Sequence, residues 1–137
     1  MDRITKTHRS WNMSRIQGRN TFPELAVRKV LYSKGLRYRL HYRLAGKPDI
    51  VFLGKKIAIF INGCFWHKHK GCKNFVYPRT NADFWKQKID GNVKRDMINY
   101  AKLKEEGWKI LIVWECEIED NFDITVNMLL REINYGN

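Results

Sequence analysis

The chain is short of cysteine and of acidic side chains, and it has no long apolar run. Its three cysteines cannot all pair within one chain. That excludes a closed disulfide framework and suits metal-bound thiolates in a reducing compartment. No apolar run approaches the roughly 20 residues that a membrane helix requires. Met1–Lys6 also lacks the apolar centre of a signal peptide, so a soluble, untargeted protein is expected. Repeats, low-complexity tracts and linkers rich in Gly, Pro or Ser are missing, and no boundary is placed within the globular part. Only 14 Asp and Glu face 26 Lys and Arg, for a net charge of +12. So basic a balance in a small domain points first to nucleic acid. An anionic membrane surface is the runner-up, but no basic amphipathic helix with a bulky apolar face supports it.

What is present suffices for one core: 137 residues, 44% of them apolar, with five tryptophans. Residues 1–20 are basic and weakly patterned and are expected to form an arm or short helix, with one domain over 21–137. Thr21-Phe22-Pro23-Glu24 resembles a capped helix start, with threonine as cap, an early proline, and a glutamate placed to complete a capping box. That helix runs through Leu25, Val30 and Leu31 to Gly35. Tyr38, Leu40, Tyr42 and Leu44 alternate with Arg37, Arg39, His41 and Arg43, as in a half-buried strand with one basic face. Gly46-Lys47-Pro48 turns the chain into a hairpin of Asp49–Leu53 and Lys56–Ile61. A helix capped by Asn81 runs to Gly107 with an interruption at Gly91. A strand over Trp108–Trp114 and a helix from about Asp123 follow. The order α-β-β-β-α-β-α predicts a mixed sheet flanked by helices, since the last strand needs a crossover to rejoin it.

The densest chemistry lies in Gly63-Cys64-Phe65-Trp66-His67-Lys68-His69-Lys70-Gly71-Cys72. Two cysteines, two histidines and two large aromatics fall within ten residues, and the remaining cysteine, Cys116, follows the apolar run 110–114. Three thiolates and one imidazole would make a closed tetrahedral zinc site. The spacing leaves open which histidine binds, and the competing reading is of small buried cysteines beside surface histidines.

Separated segments then point one way: Arg9-Ser10-x-Asn12-Met13, Thr21-x-x-Glu24, Gly46-Lys47-Pro48-Asp49, Gly63-Cys64-Phe65-Trp66-His67, Asp83-Phe84-Trp85, Asn92-Val93-x-Arg95-Asp96 and Gly107-Trp108-Lys109-x-Leu111-x-Val113-Trp114-Glu115-Cys116. Across roughly residues 8–116 the chain resembles the very short patch repair endonucleases. These bacterial enzymes nick DNA beside a T:G mismatch left by deamination of 5-methylcytosine. The resemblance implies a restriction-endonuclease-like α/β fold. It also implies a bacterial cytoplasmic protein acting on double-stranded DNA as a monomer, with mismatch-repair proteins as candidate partners.

The resemblance further implies a division of labour. Structural zinc falls on Cys64, His69, Cys72 and Cys116, with one more residue between His69 and Cys72 than the familiar spacing has. Catalytic Mg²⁺ falls on Asp49 and the backbone carbonyl of Ile61, because the usual nuclease Glu-x-Lys is absent from the strand Ile57–Ile61. Read alone, Asp49 is more simply a turn aspartate, and only the resemblance makes it a metal ligand. His67 becomes the base that takes a proton from the attacking water. Glu24 and Asp96 would orient water or imidazole, although Glu24 also reads as a capping residue and Asp96 as an ordinary surface charge. Asn62 stands where many relatives carry histidine; it can donate a hydrogen bond to phosphate but carries no charge. Phe65, Trp66 and Trp85 would wedge between base pairs at the mismatch, or else pack beneath the metal loop. Met13 would reach the opposite groove, and Arg9, Arg15, Arg19 and Lys68 are candidate phosphate contacts. Two rival readings remain: a sequence-specific restriction endonuclease of the same fold, and a non-catalytic zinc-stabilised DNA-binding module.

Overall fold

The structure, a computed structural model, describes residues 22–135. The expectations for Arg9, Met13, Arg15, Arg19 and Thr21 fall outside those residues. Helix α1 (Phe22–Ser33) is followed by strands β1 (Arg39–Leu40), β2 (Ile50–Phe52) and β3 (Ile57–Asn62). Helix α2 (Ala82–Glu105), strand β4 (Lys109–Trp114) and helices α3 (Glu115–Asp120) and α4 (Phe122–Tyr135) complete the order. The sheet runs β1-β2-β3-β4, with two antiparallel pairings and then a parallel one between β3 and β4.

β3 reads as a continuous apolar run because both of its faces are covered. Ile57 and Ile59 pack with Val27 and Leu31 of α1, Ile118 of α3, and Leu129 and Ile133 of α4. The alternate residues Ala58 and Phe60 meet Leu103, Tyr100 and Trp108 on the α2 side. The result is a mixed α/β architecture with a four-stranded mixed sheet between helices. None of the described helices is long and apolar enough to cross a membrane.

Four local expectations are corrected. The strand expected over 37–44 pairs only at Arg39 and Leu40, because β2 offers a three-residue partner and His41 turns away at φ +51°. Gly91 does not interrupt α2, which is helical throughout 82–105. Asn81 occupies the cap position of α2 in a left-handed conformation and makes no side-chain cap bond. An unexpected helix, α3, starts directly where β4 ends; the Glu117 carboxylate accepts the Trp114 backbone N–H at 3.0 Å and stabilises that start.

This topology gathers one edge of the sheet. β2 is antiparallel to β3, so Asp49 at the entry to β2 lies beside the exit of β3. β4 is parallel to β3, so its exit arrives there as well, with Asn62 opposite Trp114. Two residues further along each chain come Cys64 and Cys116. The carboxyl ends of parallel strands are a common place for a ligand site in open α/β sheets.

Candidate active site

A cleft of about 390 Å³ opens at this edge. Asp49, Glu24, Ile61, Asn62, Trp66, His67 and Asp96 all line it, so seven residues singled out from the sequence share one cavity. Lys47, Lys88, Asn92 and Glu115 line it as well.

Asp49 is held by the sheet on both sides of its Cα. Its backbone N–H donates to the Ile59 carbonyl at 2.9 Å, and its Oδ2 accepts the Ile61 N–H at 2.7 Å. In an extended strand a residue's N–H and C=O point to the same side. The Ile61 carbonyl therefore faces the side occupied by the Asp49 carboxylate. Loss of water around Asp49 raises its carboxyl from 3.8 to about 7; the Ile61 hydrogen bond opposes this, and the neighbouring charges of Glu24 and Glu115 add to it. Negative groups drawn together in a cleft suit a bound cation, and oxygen donors from a carboxylate and a carbonyl match what Mg²⁺ prefers.

Glu24 is 1% exposed. Its Oε2 lies 3.3 Å from Arg28 Nη1 and 3.2 Å from His41 Nε2, so its carboxylate faces cationic and imidazole groups within the fold. Glu115, at the first position of α3, is 4% exposed. Gly63 lies beside it: a Cβ there would meet Glu115 Oε1 at 3.4 Å, an ordinary contact.

The two imidazoles of the loop 63–72 part company. His67 Nδ1 is 2.6 Å from Asp96 Oδ2. With Asp96 ionised, that bond requires the proton on Nδ1, which leaves the Nε2 lone pair available. His69 instead stacks on Trp114, with ring centroids 4.1 Å apart and planes 6° from parallel, and its Nδ1 is 3.4 Å from Cys116 Sγ.

Around His69, one donor atom from each of Cys64, His69, Cys72 and Cys116 lies within 4.8 Å of all the others. Such a cluster can close on one ion at the usual Zn–S distance of roughly 2.3 Å. Gly71, just before Cys72, adopts φ +74°, a conformation glycine takes without steric cost. Burial pushes the Cys64 thiol well up, and burial likewise raises Cys116. Clustered thiolates without a counter-charge are unfavourable, and a divalent cation offsets that cost.

Phe65 and Trp66 project from the loop between these two centres. Trp85 lies 5.6 Å from Phe65 and 5.8 Å from Trp66 by ring centroids, and Phe75 extends the cluster from Phe65 at 6.2 Å. All four rings are only partly buried. Asn92 Nδ2 donates to the Trp66 carbonyl at 3.1 Å and ties the loop to α2. Asn62, 4% exposed, donates from Nδ2 to Tyr100 Oη at 3.0 Å. Lys68 sits 3.6 Å from Asp90 and over the Tyr77 ring at 5.2 Å, so locally it braces the loop.

Several residues that line the cleft, or touch its lining, escaped the sequence reading. Lys47, Asn92 and Glu115 lay inside quoted motifs without a role, whereas Lys88 and Tyr100 carried no signal of their own. His41 read as part of an outward basic face.

Comparison with known proteins decides the family. Residues 1–74 match the family described as DNA mismatch endonuclease Vsr. The DNA mismatch endonuclease Vsr of Escherichia coli (strain K12) is 39% identical over 129 residues, which cover 93% of this chain and 82% of that protein. The chain belongs to the Vsr family. This Vsr-family protein is thus a DNA endonuclease by descent. It is similar also to the type II nicking enzyme V.XorIIP of Xanthomonas oryzae pv. oryzae, at 43% identity over 120 residues (87% of this chain, 88% of that one). A third relative, the type II nicking enzyme V.NmeAIP of Neisseria meningitidis, is 42% identical over 135 residues, 96% of each chain.

Proposed function

We propose that the protein is a Mg²⁺-dependent, zinc-stabilised endonuclease of restriction-endonuclease-like fold that nicks one strand of duplex DNA at T:G mismatches. The observation that carries this reading is the meeting of Asp49 with the His67–Asp96 pair in one cleft, flanked by half-exposed aromatics. A single catalytic constellation per chain nicks and does not by itself cut both strands. That agrees with the nicking activity named for two relatives.

Asp49 and the Ile61 carbonyl would hold Mg²⁺, which when bound polarises the scissile phosphate and offsets developing charge. His67, anchored through Nδ1 to Asp96, presents Nε2 to a water molecule and takes its proton as the oxygen attacks phosphorus. Lys47 and Lys88 lower the cost of bringing phosphate against four carboxylates, Glu24, Asp49, Asp96 and Glu115. Asn62 uses one amide hydrogen on Tyr100, and its other is free to meet a phosphate oxygen.

Phe65, Trp66 and Trp85 act as the wedge. Unstacking a base step costs a few kcal/mol and least at a mispair, so insertion favours mismatched duplex without reading every base. The Cys64–His69–Cys72–Cys116 cluster, filled by zinc, fixes the loop that carries Phe65, Trp66 and His67. A closed four-ligand shell leaves no position for water, so its role is structural. The basic segment 1–20, with Met13 and its arginines, supplies further DNA contacts to the domain over 21–137.

The test is a panel of duplexes carrying each mismatch, incubated with Mg²⁺, with products mapped by strand and position. The reading predicts one nick at T:G and little cutting of paired DNA. Equal cutting of paired DNA at a fixed sequence would support a sequence-specific nicking enzyme instead.

A further inference from the structure

His41 follows β1 at φ +51°. A left-handed conformation costs an L residue roughly 1–2 kcal/mol, and such strain gathers at functional sites. Its backbone N–H still donates to the Asp49 carbonyl at 3.2 Å, so the turn occurs beside the cleft's central aspartate. Nε2 reaches within 3.2 Å of Glu24 Oε2, but the geometry is not that of a hydrogen bond, and this buried nitrogen has no hydrogen-bond partner among the described residues. One donor atom from each of Glu24, His41 and Asp49 lies within 4.8 Å of the other two.

We propose that His41 supplies a nitrogen ligand to the divalent ion held at Asp49, with Glu24 as a further oxygen ligand, and so tilts the site towards Mn²⁺ over Mg²⁺. The inference rests on the assignment of Asp49 as a metal ligand made above. A neutral imidazole beside two carboxylates completes a donor set around a common point. An imidazolium would serve Glu24 only if its N–H were aimed at the carboxylate, and Arg28 already stands 3.3 Å from that oxygen. Mg²⁺ prefers oxygen and gives up water reluctantly, whereas Mn²⁺ and later first-row ions accept imidazole. One nitrogen therefore shifts the preference without excluding Mg²⁺.

The test uses the full chain loaded with zinc, with Mn²⁺ as probe. Electron spin echo modulation of the bound Mn²⁺ should show ¹⁴N coupling, converted to the ¹⁵N pattern by ¹⁵N-histidine labelling. In His41→Gln that coupling should vanish, and the ratio of Mn²⁺ to Mg²⁺ affinity should fall on the order of tenfold. Binding that depends on Asp49 but shows no nitrogen coupling overturns the role of His41 and leaves Asp49 in place. Coupling that survives in His41→Gln assigns the nitrogen to another imidazole and also overturns it. Mn²⁺ binding that ignores Asp49→Asn overturns the inference together with the assignment beneath it. The wild-type spectrum needs no variant, so a poorly folding mutant cannot hide the answer.

Discussion

His67 Nδ1 and Asp96 Oδ2 are 2.6 Å apart, and they join the metal loop to the middle of α2. The contact turns a flexible imidazole into an oriented one, because a ring whose Nδ1–H is bound to a carboxylate carries its lone pair on Nε2. His67→Ala should lower the single-turnover nicking rate by about 10²–10⁴, the usual worth of a general base. Asp96→Asn should lower it as well while duplex binding stays unchanged. A wild-type rate in Asp96→Asn would remove the pair from the chemistry.

Metal content and melting temperature report on the second imidazole. Structural zinc in small modules is worth on the order of 10 kcal/mol of folding free energy. Cys116→Ser should release bound zinc and lower the melting temperature sharply, and His69→Ala should do the same. Zinc stoichiometry at the wild-type value in either variant would exclude that residue from the ligand set.

Trp66 is partly buried and packs edge-on against Phe65, with ring centroids 5.2 Å apart, and against Trp85 at 5.8 Å. Trp66→Ala should reduce the ratio of T:G to fully paired cleavage about tenfold or more, as expected when a wedge worth a few kcal/mol is removed. Calorimetry should show only a modest change in stability. An unaltered cleavage ratio with a large loss of stability would make Trp66 a packing residue.

The metal-free protein should show the Asp49 titration in its stability. An aspartate in the unfolded chain ionises near 3.8, whereas Asp49 in the fold ionises at about 7. Below the lower value both states keep the proton. Between the two values only the unfolded chain has released it, so stability falls as pH rises through that window and then levels off. Asp49→Asn removes the effect. The variant's melting temperature should pull ahead of wild type by about 10 °C as pH rises from 4 to 7.5, and parallel curves would contradict the raised value. Mg²⁺ should restore the wild type.

The fold was legible where pattern and burial coincide. β3 is apolar from Ile57 to Ile61 because helices cover both of its faces; in α1, Leu31 is core, but Leu25 is 44% exposed and the unmarked Val27 is buried instead. β1 was overread, since alternation over 38–44 says nothing about the length of its partner, and β2 offers only three residues. α3 was missed because no breaker separates Trp114 from Glu115. In the site, the clustering of Cys64, His69 and Cys72 was foreshadowed because they are neighbours in sequence, whereas Cys116 was assigned to them only through the resemblance. Lys88 and Glu115 reach the cleft, and Tyr100 and His41 reach its lining residues Asn62 and Glu24, only through tertiary packing. His41 was moreover placed on the wrong face, because one left-handed residue reverses the alternation that predicted it.

The most direct measurement is single-turnover cleavage of a T:G duplex in Mg²⁺ by Asp49→Ala, alongside its affinity for the same duplex. The account predicts that cutting is lost while binding is largely kept. Cutting at the wild-type rate would show that the chemistry lies elsewhere on the molecule.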